Sequence, residues 1–436
     1  MRKILRHTYS ICPVCLKRIP AVHAAKGKEV YLEKTCPKHG DFSAIIWRGL
    51  LDMEAWRGNL PPIAEGENEN CPHACGLCSE HQQSTCCVLL EVTKHCNLHC
   101  SFCFAEGGDC QEIPFDTVRK HLHALVVPGK TLVQLSGGEP TTRDDLPKII
   151  AAAKKAGCQY VQLNTNGIRL GEDVQYVQSL AEAGLSFVFM QFDGMNDGIY
   201  RALRGRELLD IKRNAIDNCA RYNLGVTLVP TLVPRVNTQD IGNIIRFAIS
   251  QAPAVRGVHF QPVSYFGRIP SMPSDDQRFT LDELLEAIEE QAGTLVPRDS
   301  LIPSRCDHPL CGFHGDYIVM PDQSLNPLHS ANNSCCRMTT ADQSRSFIAR
   351  KWQRPKAEDV GEMDSAGTES RFDSFDNFLR RVRSHSFTLT AMTFQDAGNL
   401  DLERLRRCSL HVFDNGQFIP FCAYYLTSHV NALSQS

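Results

Sequence analysis

From Val88 onward, short apolar runs alternate with amphipathic segments. The runs are Val88–Val92, Thr131–Leu135, Tyr160–Leu163, Phe187–Phe192, Gly225–Val229 and Val258–Gln261. Short apolar runs of this kind predict strands. Between them, segments around 115–126, 145–156, 173–183, 207–222 and 239–250 predict helices. Alternation of the two predicts a parallel sheet with crossover helices. Six such units fall short of the eight that close a barrel, so an α/β partial (β/α)6 barrel is expected over 88–295. Ligands of such sheets sit at the carboxyl ends of the strands, which therefore carry the functional weight.

Around this barrel the pattern changes. Residues 1–60 read as a small Cys/His module, and 61–87 as a Cys-rich segment opening on Pro61-Pro62 and an acidic linker, Glu65 to Asn70. Residues 296–436 are irregular; within them, 341–370 are polar and read as a mobile connection. Asp414-Asn415-Gly416 reads as a turn between two short strands.

Composition narrows the function classes. With 42% hydrophobic residues among 436, the chain can bury a real core and is not a disordered protein. A net charge of −3 gives no electrostatic case for nucleic acid. No run approaches the roughly 18 apolar residues of a membrane helix. The basic start, Met1 to His7, lacks the apolar stretch of a secretion signal, so a cytoplasmic location is expected. Cytoplasmic thiols stay reduced, so the clustering among 20 cysteines points to metal ligation rather than disulfides.

Four constellations follow. Cys96-x3-Cys100-x2-Cys103 directly follows the first predicted strand, with Phe102 before its last cysteine. Three thiolates on one loop can hold three irons of a [4Fe–4S] cube and leave the fourth open; an ordinary structural cluster completed by Cys110 or Cys87 is the alternative. Cys71-x3-Cys75-x2-Cys78 repeats the spacing, but no strand delivers it to a sheet. It reads as an auxiliary cluster closed by Cys87, or by Cys86. Cys12-x2-Cys15, then Cys36 and His39, suits a mononuclear Zn²⁺ or rubredoxin-like iron site, with His39 equally well a solvated turn residue. Cys306, Cys311, Cys408 and Cys422 are expected to hold a second auxiliary cluster, with Cys335-Cys336 able to replace some of them. Cys158 and Cys219 read as buried apolar residues.

The second predicted strand ends in Ser136-Gly137-Gly138-Glu139-Pro140. Together with the Cys-x3-Cys-x-aromatic-Cys loop, this resembles the radical S-adenosylmethionine (SAM) enzymes. Cys71 to His81, Gln191 to Gly194, Leu203-Arg204-Gly205, Gln261-Pro262-Val263, Cys306 to Cys311 and Ile419 to Cys422 narrow the likeness. They resemble the branch of archaeal tetraether lipid synthase and the dihydropterin methylase of methanopterin biosynthesis. The resemblance implies that Cys96, Cys100 and Cys103 hold the reactive cluster. It implies that Gly137, Gly138 and Glu139 hold the methionine amine of SAM. Asn164, Asn166, Gln191 and Asp193 would meet its polar groups, and Gln261 and Val263 would flank the adenine. For each polar member alone, a loop cap is an equal reading.

The implied chemistry is reductive cleavage of SAM to a 5′-deoxyadenosyl radical and hydrogen abstraction from an unactivated C–H bond, for methylation, alkylation or C–C bond formation. One or two auxiliary [4Fe–4S] clusters, a low-potential donor of ferredoxin or flavodoxin type and a small-molecule or lipid substrate accompany it. The competing class is a multi-cluster electron carrier or redox regulator that merely keeps the barrel.

Overall fold

The computed structural model describes residues 2–61, 71–73, 76–105, 112–268, 273–328, 340–355 and 375–433. Cys75, Cys110, Cys335, Cys336 and the acidic run after Pro62 lie outside them. The N-terminal segment folds as an antiparallel sheet of β1 (Arg2–Ile11), β2 (Arg18–Lys26), β3 (Glu29–Cys36) and β4 (Gly40–Trp47), in that order. Along β3 every second residue is turned inward, Val30, Leu32, Lys34 and Cys36, the period-two alternation of a sheet with one covered face. What covers it is the distant C-terminal segment. Asp401 accepts hydrogen bonds from His23 at 2.9 Å and Thr8 at 2.6 Å, and the Lys34 ammonium donates to the Ala397 carbonyl at 2.7 Å.

The six predicted runs become β5 (Cys87–Thr93), β6 (Leu132–Gly137), β7 (Tyr160–Thr165), β8 (Phe187–Gln191), β9 (Gly225–Val229) and, after the two-residue β10 (Thr231–Leu232), β11 (Val255–Pro262). All six pair in parallel, in chain order. The C-terminal region contributes β12 (Ile302–Pro303), β13 (Phe313–Val319), β14 (Leu325–Pro327), β15 (Ser386–Ala391), β16 (Leu410–Asp414) and β17 (Gln417–Pro420). Here the structure adds to the sequence reading: β15 joins β11 and β16 joins β5, both in parallel. Eight strands thus run one way, and antiparallel β13 and β17 finish the two sides. At the β16–β17 turn, Asn415 and Gly416 both have positive φ, 47° and 82°, as a two-residue type I′ hairpin requires.

The polar stretch after residue 340 is not simply a connection. Ala341–Trp352 is a helix, opened by a capping box of Thr340 and Gln343. Its Ala349 and Trp352 pack on Leu132, Tyr160, Phe187 and Phe189 of β6, β7 and β8, closing the amino-terminal end of the barrel lumen. The guanidinium of Arg256 donates to the Lys351 carbonyl at 2.7 Å, and a Cβ at position 225 would lie 2.1 Å from the Trp352 carbonyl oxygen, so Gly225 makes room for the plug. Among its described side chains the buried ones are Ala341, Arg345, Ala349 and Trp352, two alanines, an arginine and one aromatic, so the helix escapes a pattern reading. Trp352→Ala is expected to destabilise the chain by about 3–5 kcal/mol, as buried aromatic truncations do, seen as a lower urea midpoint. Among the described residues, no helix is long and apolar enough to cross a membrane.

Candidate active site

The cysteine loop leaves β5 at Thr93 and is clasped from two sides. Gly138 N–H donates to the Thr93 carbonyl at 2.9 Å, and Glu139 N–H to the His95 carbonyl at 2.7 Å. A Cβ on Gly137 would stand 2.0 Å from the Thr93 oxygen, and one on Gly138 2.1 Å from that of His95. The two glycines therefore let strand end and cysteine loop pack backbone to backbone, a closer demand than room for a ligand alone. On the other side Cys103 exchanges backbone hydrogen bonds with Arg268, and Phe102 meets Tyr265 edge-on at 5.9 Å. Asn166 ties the loop from β7, its amide donating to the Asn97 side chain at 2.7 Å.

A cavity of about 720 Å³ fills the barrel lumen, within the range usual for small-molecule sites. Cys96, Cys100, Cys103, Gly137, Gly138, Glu139, Asn164, Asn166, Gln191, Gln261 and Val263 all line it. Burial pushes the Cys96 thiol up to about 11, and the nearby Glu139, Cys100 and Cys103 push the same way. Three thiols so placed become thiolates together only with a cation to hold, which is the donor chemistry of an iron–sulfur cluster.

Glu139 is 2% exposed, and its carboxylate already accepts hydrogen bonds from Thr141 N–H and Oγ1, Thr165 Oγ1 and Asn166 N–H, at 2.6–3.0 Å. Asp193 differs from the expectation that it meets a cofactor. It is fully buried behind the cavity wall, where its two oxygens accept from Arg204 at 2.8 and 2.9 Å and from Thr231 N–H at 3.1 Å. Arg204 is the residue that reaches the cavity, and it interacts with the Cys100 side chain. Burial would lower its basicity, but Asp193 outweighs that and holds the guanidinium charged. The helix Asp197–Arg204 delivers it, started by an Asn196 cap and ended at Gly205, φ 78°. Lys212, also buried, donates to the Asn166 carbonyl and to Gln191 Oε1. Burial lowers its ammonium to about 7, against the pull of Asp193. Sequence reasoning singled out Arg204 only within a motif and Lys212 not at all, because nothing local marks a cation whose partners lie on other strands.

In the N-terminal sheet, ligand atoms of Cys12, Cys15, Cys36 and His39 all lie within 4.8 Å of one another. His39 Nδ1 stands 3.5 Å from Cys12 Sγ and 3.4 Å from Cys36 Sγ, so the histidine, though exposed, turns this nitrogen into the site. Backbone N–H from Lys38 helps lower the Cys36 thiol to about 6. This is the Cys₃His donor set of a closed structural zinc site. Treatment with a strong chelator is expected to release one metal per chain and to speed amide exchange across β1–β4, read by metal analysis and hydrogen exchange.

The profile of the "Radical SAM superfamily" matches residues 90–248, and that of the "HMPTM N-terminal zinc ribbon domain" residues 4–48. The 7,8-dihydro-6-hydroxymethylpterin dimethyltransferase of Methanocaldococcus jannaschii is 32% identical, over 96% of this chain and 93% of its own. This chain belongs to the radical SAM superfamily. The superfamily domain thus comes with an N-terminal zinc ribbon, on the segment where the cysteine spacing placed a mononuclear metal site. A more distant relative, the Fe-coproporphyrin III synthase of Methanosarcina barkeri, is 28% identical over 56% of this chain and 60% of its own. Among solved structures, Streptococcus suis SuiB aligns with a TM-score of 0.39 at 17% identity, covering 48% of this chain and 46% of that one.

The remaining cysteines of this radical SAM chain group differently from the sequence expectation. Cys71 and Cys78 interact with each other, and Arg406 lies beside Cys71. Cys87, expected to close that group, sits at the start of β5 with Cys86 Sγ at 3.7 Å, and Cys86 meets Cys306. Cys311, Cys408 and Cys422 interact with one another, and Arg404 donates to Cys311 Sγ at 3.4 Å. Cys306 thus meets Cys86, a partner outside the quartet expected from spacing. The chain turns at Pro309–Cys311 just after Cys306, and the two sulfurs have different neighbours, Cys86 for Cys306 and Cys408 and Cys422 for Cys311. A buried guanidinium on sulfur suits an anionic cluster at the Cys311 group. Cys158 and Cys219 are buried in the apolar core.

Proposed function

We propose that this chain is a radical SAM methyltransferase acting on a reduced pterin. The observation that carries the reading is the end-to-end similarity, zinc ribbon included, to a dihydrohydroxymethylpterin dimethyltransferase. The lumen supports it: the cysteine loop stands at one end of the cavity and aromatic and polar side chains at the other, with room for a cofactor and a flat ring. In this reading Cys96, Cys100 and Cys103 hold the reactive cluster, and Cys71, Cys75 and Cys78 belong to an auxiliary one. When bound, a [4Fe–4S] cluster with an open iron supplies the electron that cleaves SAM and yields a hydrogen-abstracting 5′-deoxyadenosyl radical. Glu139 and the strand-end amides of Asn164, Asn166 and Gln191 orient the cofactor's polar groups. Arg204 keeps a positive charge beside Cys100, and Lys212 fixes Asn166 and Gln191. The closed lower end of the barrel keeps water from the reacting carbon. A low-potential ferredoxin or flavodoxin supplies electrons.

The test is an anaerobic assay of the reconstituted chain with reductant, SAM and 7,8-dihydro-6-hydroxymethylpterin. The expected products are 5′-deoxyadenosine and a pterin heavier by one or two methyl groups. Intact cluster absorbance with no 5′-deoxyadenosine would favour the electron-carrier class instead. Deoxyadenosine without a methylated pterin would leave the superfamily standing and remove the substrate.

A further inference from the structure

One carboxylate in the lumen has an oxygen with no partner among the described residues. Asp316, on β13, lines the cavity and is 4% exposed, and its Oδ2 is buried without a hydrogen-bond partner. No ion pair reaches it among the described residues. The Lys351 ammonium is close enough to be affected by it electrostatically, but the two are not in contact. Buried polar atoms in native structures are nearly all partnered, and a buried carboxylate oxygen left without a partner is costly. Such a group is retained where something else completes it.

Register places Asp316 in a row of inward-facing residues. Phe189 pairs with Thr227, Thr227 with Gly257, Gly257 with Thr388 and Thr388 with Asp316. The hydroxyl of Thr227 is also buried and unpartnered. Flat walls flank this row: Trp352, held by its indole N–H on Thr388 Oγ1 at 3.1 Å, meets Phe189 edge-on with ring centres 4.5 Å apart. At position 257 a Cβ would lie 2.3 Å from the Thr388 carbonyl oxygen, so no side chain fills the middle of the row. His259 and His314 sit one layer higher, both paired to Thr390. Burial lowers the His259 imidazole to about 4, so it presents no positive charge to compete for the carboxylate.

We propose that Asp316 is the substrate-recognition residue, accepting two hydrogen bonds from the 2-amino and N3–H edge of a 2-amino-4-oxopyrimidine ring. The proposal rests on the pterin reading above and deepens it. A carboxylate matches that edge as a pair of parallel acceptors for two adjacent N–H donors, and the aromatic walls select a flat ring over an aliphatic amine. Depth gives the orientation. Gln191 stands two residues above Phe189, so the Asp316 row lies roughly 7 Å below the strand ends at strand rise. In a pterin the 2-amino edge and the carbon bearing the hydroxymethyl group are at opposite ends. Anchoring the first at Asp316 turns the second towards the cysteine loop.

The test uses the full reconstituted chain and measures pterin binding by equilibrium dialysis beside substrate-free 5′-deoxyadenosine formation. Asp316→Asn is expected to weaken binding about 100-fold, two charge-assisted hydrogen bonds being disturbed, while substrate-free SAM cleavage is unchanged. The 2-oxo analogue of the pterin, which accepts where the pterin donates, is expected to bind the native chain weakly and to lose little more on Asp316→Asn. If Asp316→Asn folds poorly, the analogue on the native chain carries the test. Binding of the pterin within threefold of native by a folded Asp316→Asn, or equal binding of pterin and analogue by the native chain, overturns the assignment. In either case native methylation of the pterin would leave the proposed function intact.

Discussion

Cys100→Ala is expected to abolish 5′-deoxyadenosine formation, by at least ~1000-fold or about 4 kcal/mol of barrier. Its loop offers three thiols to the cavity, and removing one leaves two where a cluster with a single open iron needs three. Cys100 is also the thiol with which the buried Arg204 interacts, so its loss leaves that cation without its sulfur partner. The comparison that gives the result meaning is Cys78→Ala, in the triplet of equal spacing. It should lower iron content while SAM binding persists. Loss of SAM binding by Cys78→Ala, with Cys100→Ala still producing deoxyadenosine, would reverse the assignment of the two triplets. Product analysis and iron determination on both variants decide it.

The second large effect is structural. Asp193→Ala removes the carboxylate that accepts two guanidinium bonds from Arg204 and the Thr231 N–H, leaving Arg204 its bond to Thr231 Oγ1. Arg204 would remain buried, with Lys212 nearby and no anion between them. Breaking a buried pair from one side costs about 3–5 kcal/mol, because the surviving charge is uncompensated. The expected observation is a lower urea midpoint for the barrel transition and faster amide exchange in β8 and β9. Asp193→Asn, which keeps acceptor and shape but not charge, should fall between. A loss below about 1 kcal/mol for Asp193→Ala would show that water or a neighbour replaces the carboxylate, and would refute its role as the clamp.

Much of the barrel could be read from the pattern of apolar runs because its strands are buried on both faces. Val88–Val92 and Phe187–Phe192 have few other ways to hide so many Val, Leu and Phe side chains. The cysteine loop and Gly137-Gly138 were legible for a different reason: their chemistry depends on residue type at fixed short spacing. The N-terminal Cys₃His site belongs to the same class, its two knuckles each being local.

Other features had no local signature. β15 and β16 are ordinary short strands, and only pairing with β11 and β5 makes them part of the barrel. The helix ending at Trp352 reads as a polar connection because one indole, two alanines and an arginine are its buried described side chains. Cys306 lies five residues from Cys311 in the chain yet meets Cys86, since a turn between them separates their directions. Asp193 illustrates the same limit within the site: its strand-end position suggested a ligand contact, while Arg204, 11 residues on, takes both oxygens.

The sequence by itself determined the six barrel strands from β5 to β11, the cluster-binding spacing, the two N-terminal metal-binding knuckles and the superfamily, all of which depend on residues close together in the chain. The tertiary structure decided which charges are clamped and which are left free. It made Asp193 a partner of Arg204 and left Asp316, which lines the lumen, with a buried oxygen that has no partner among the described residues, a distinction between two carboxylates that burial and partners alone create.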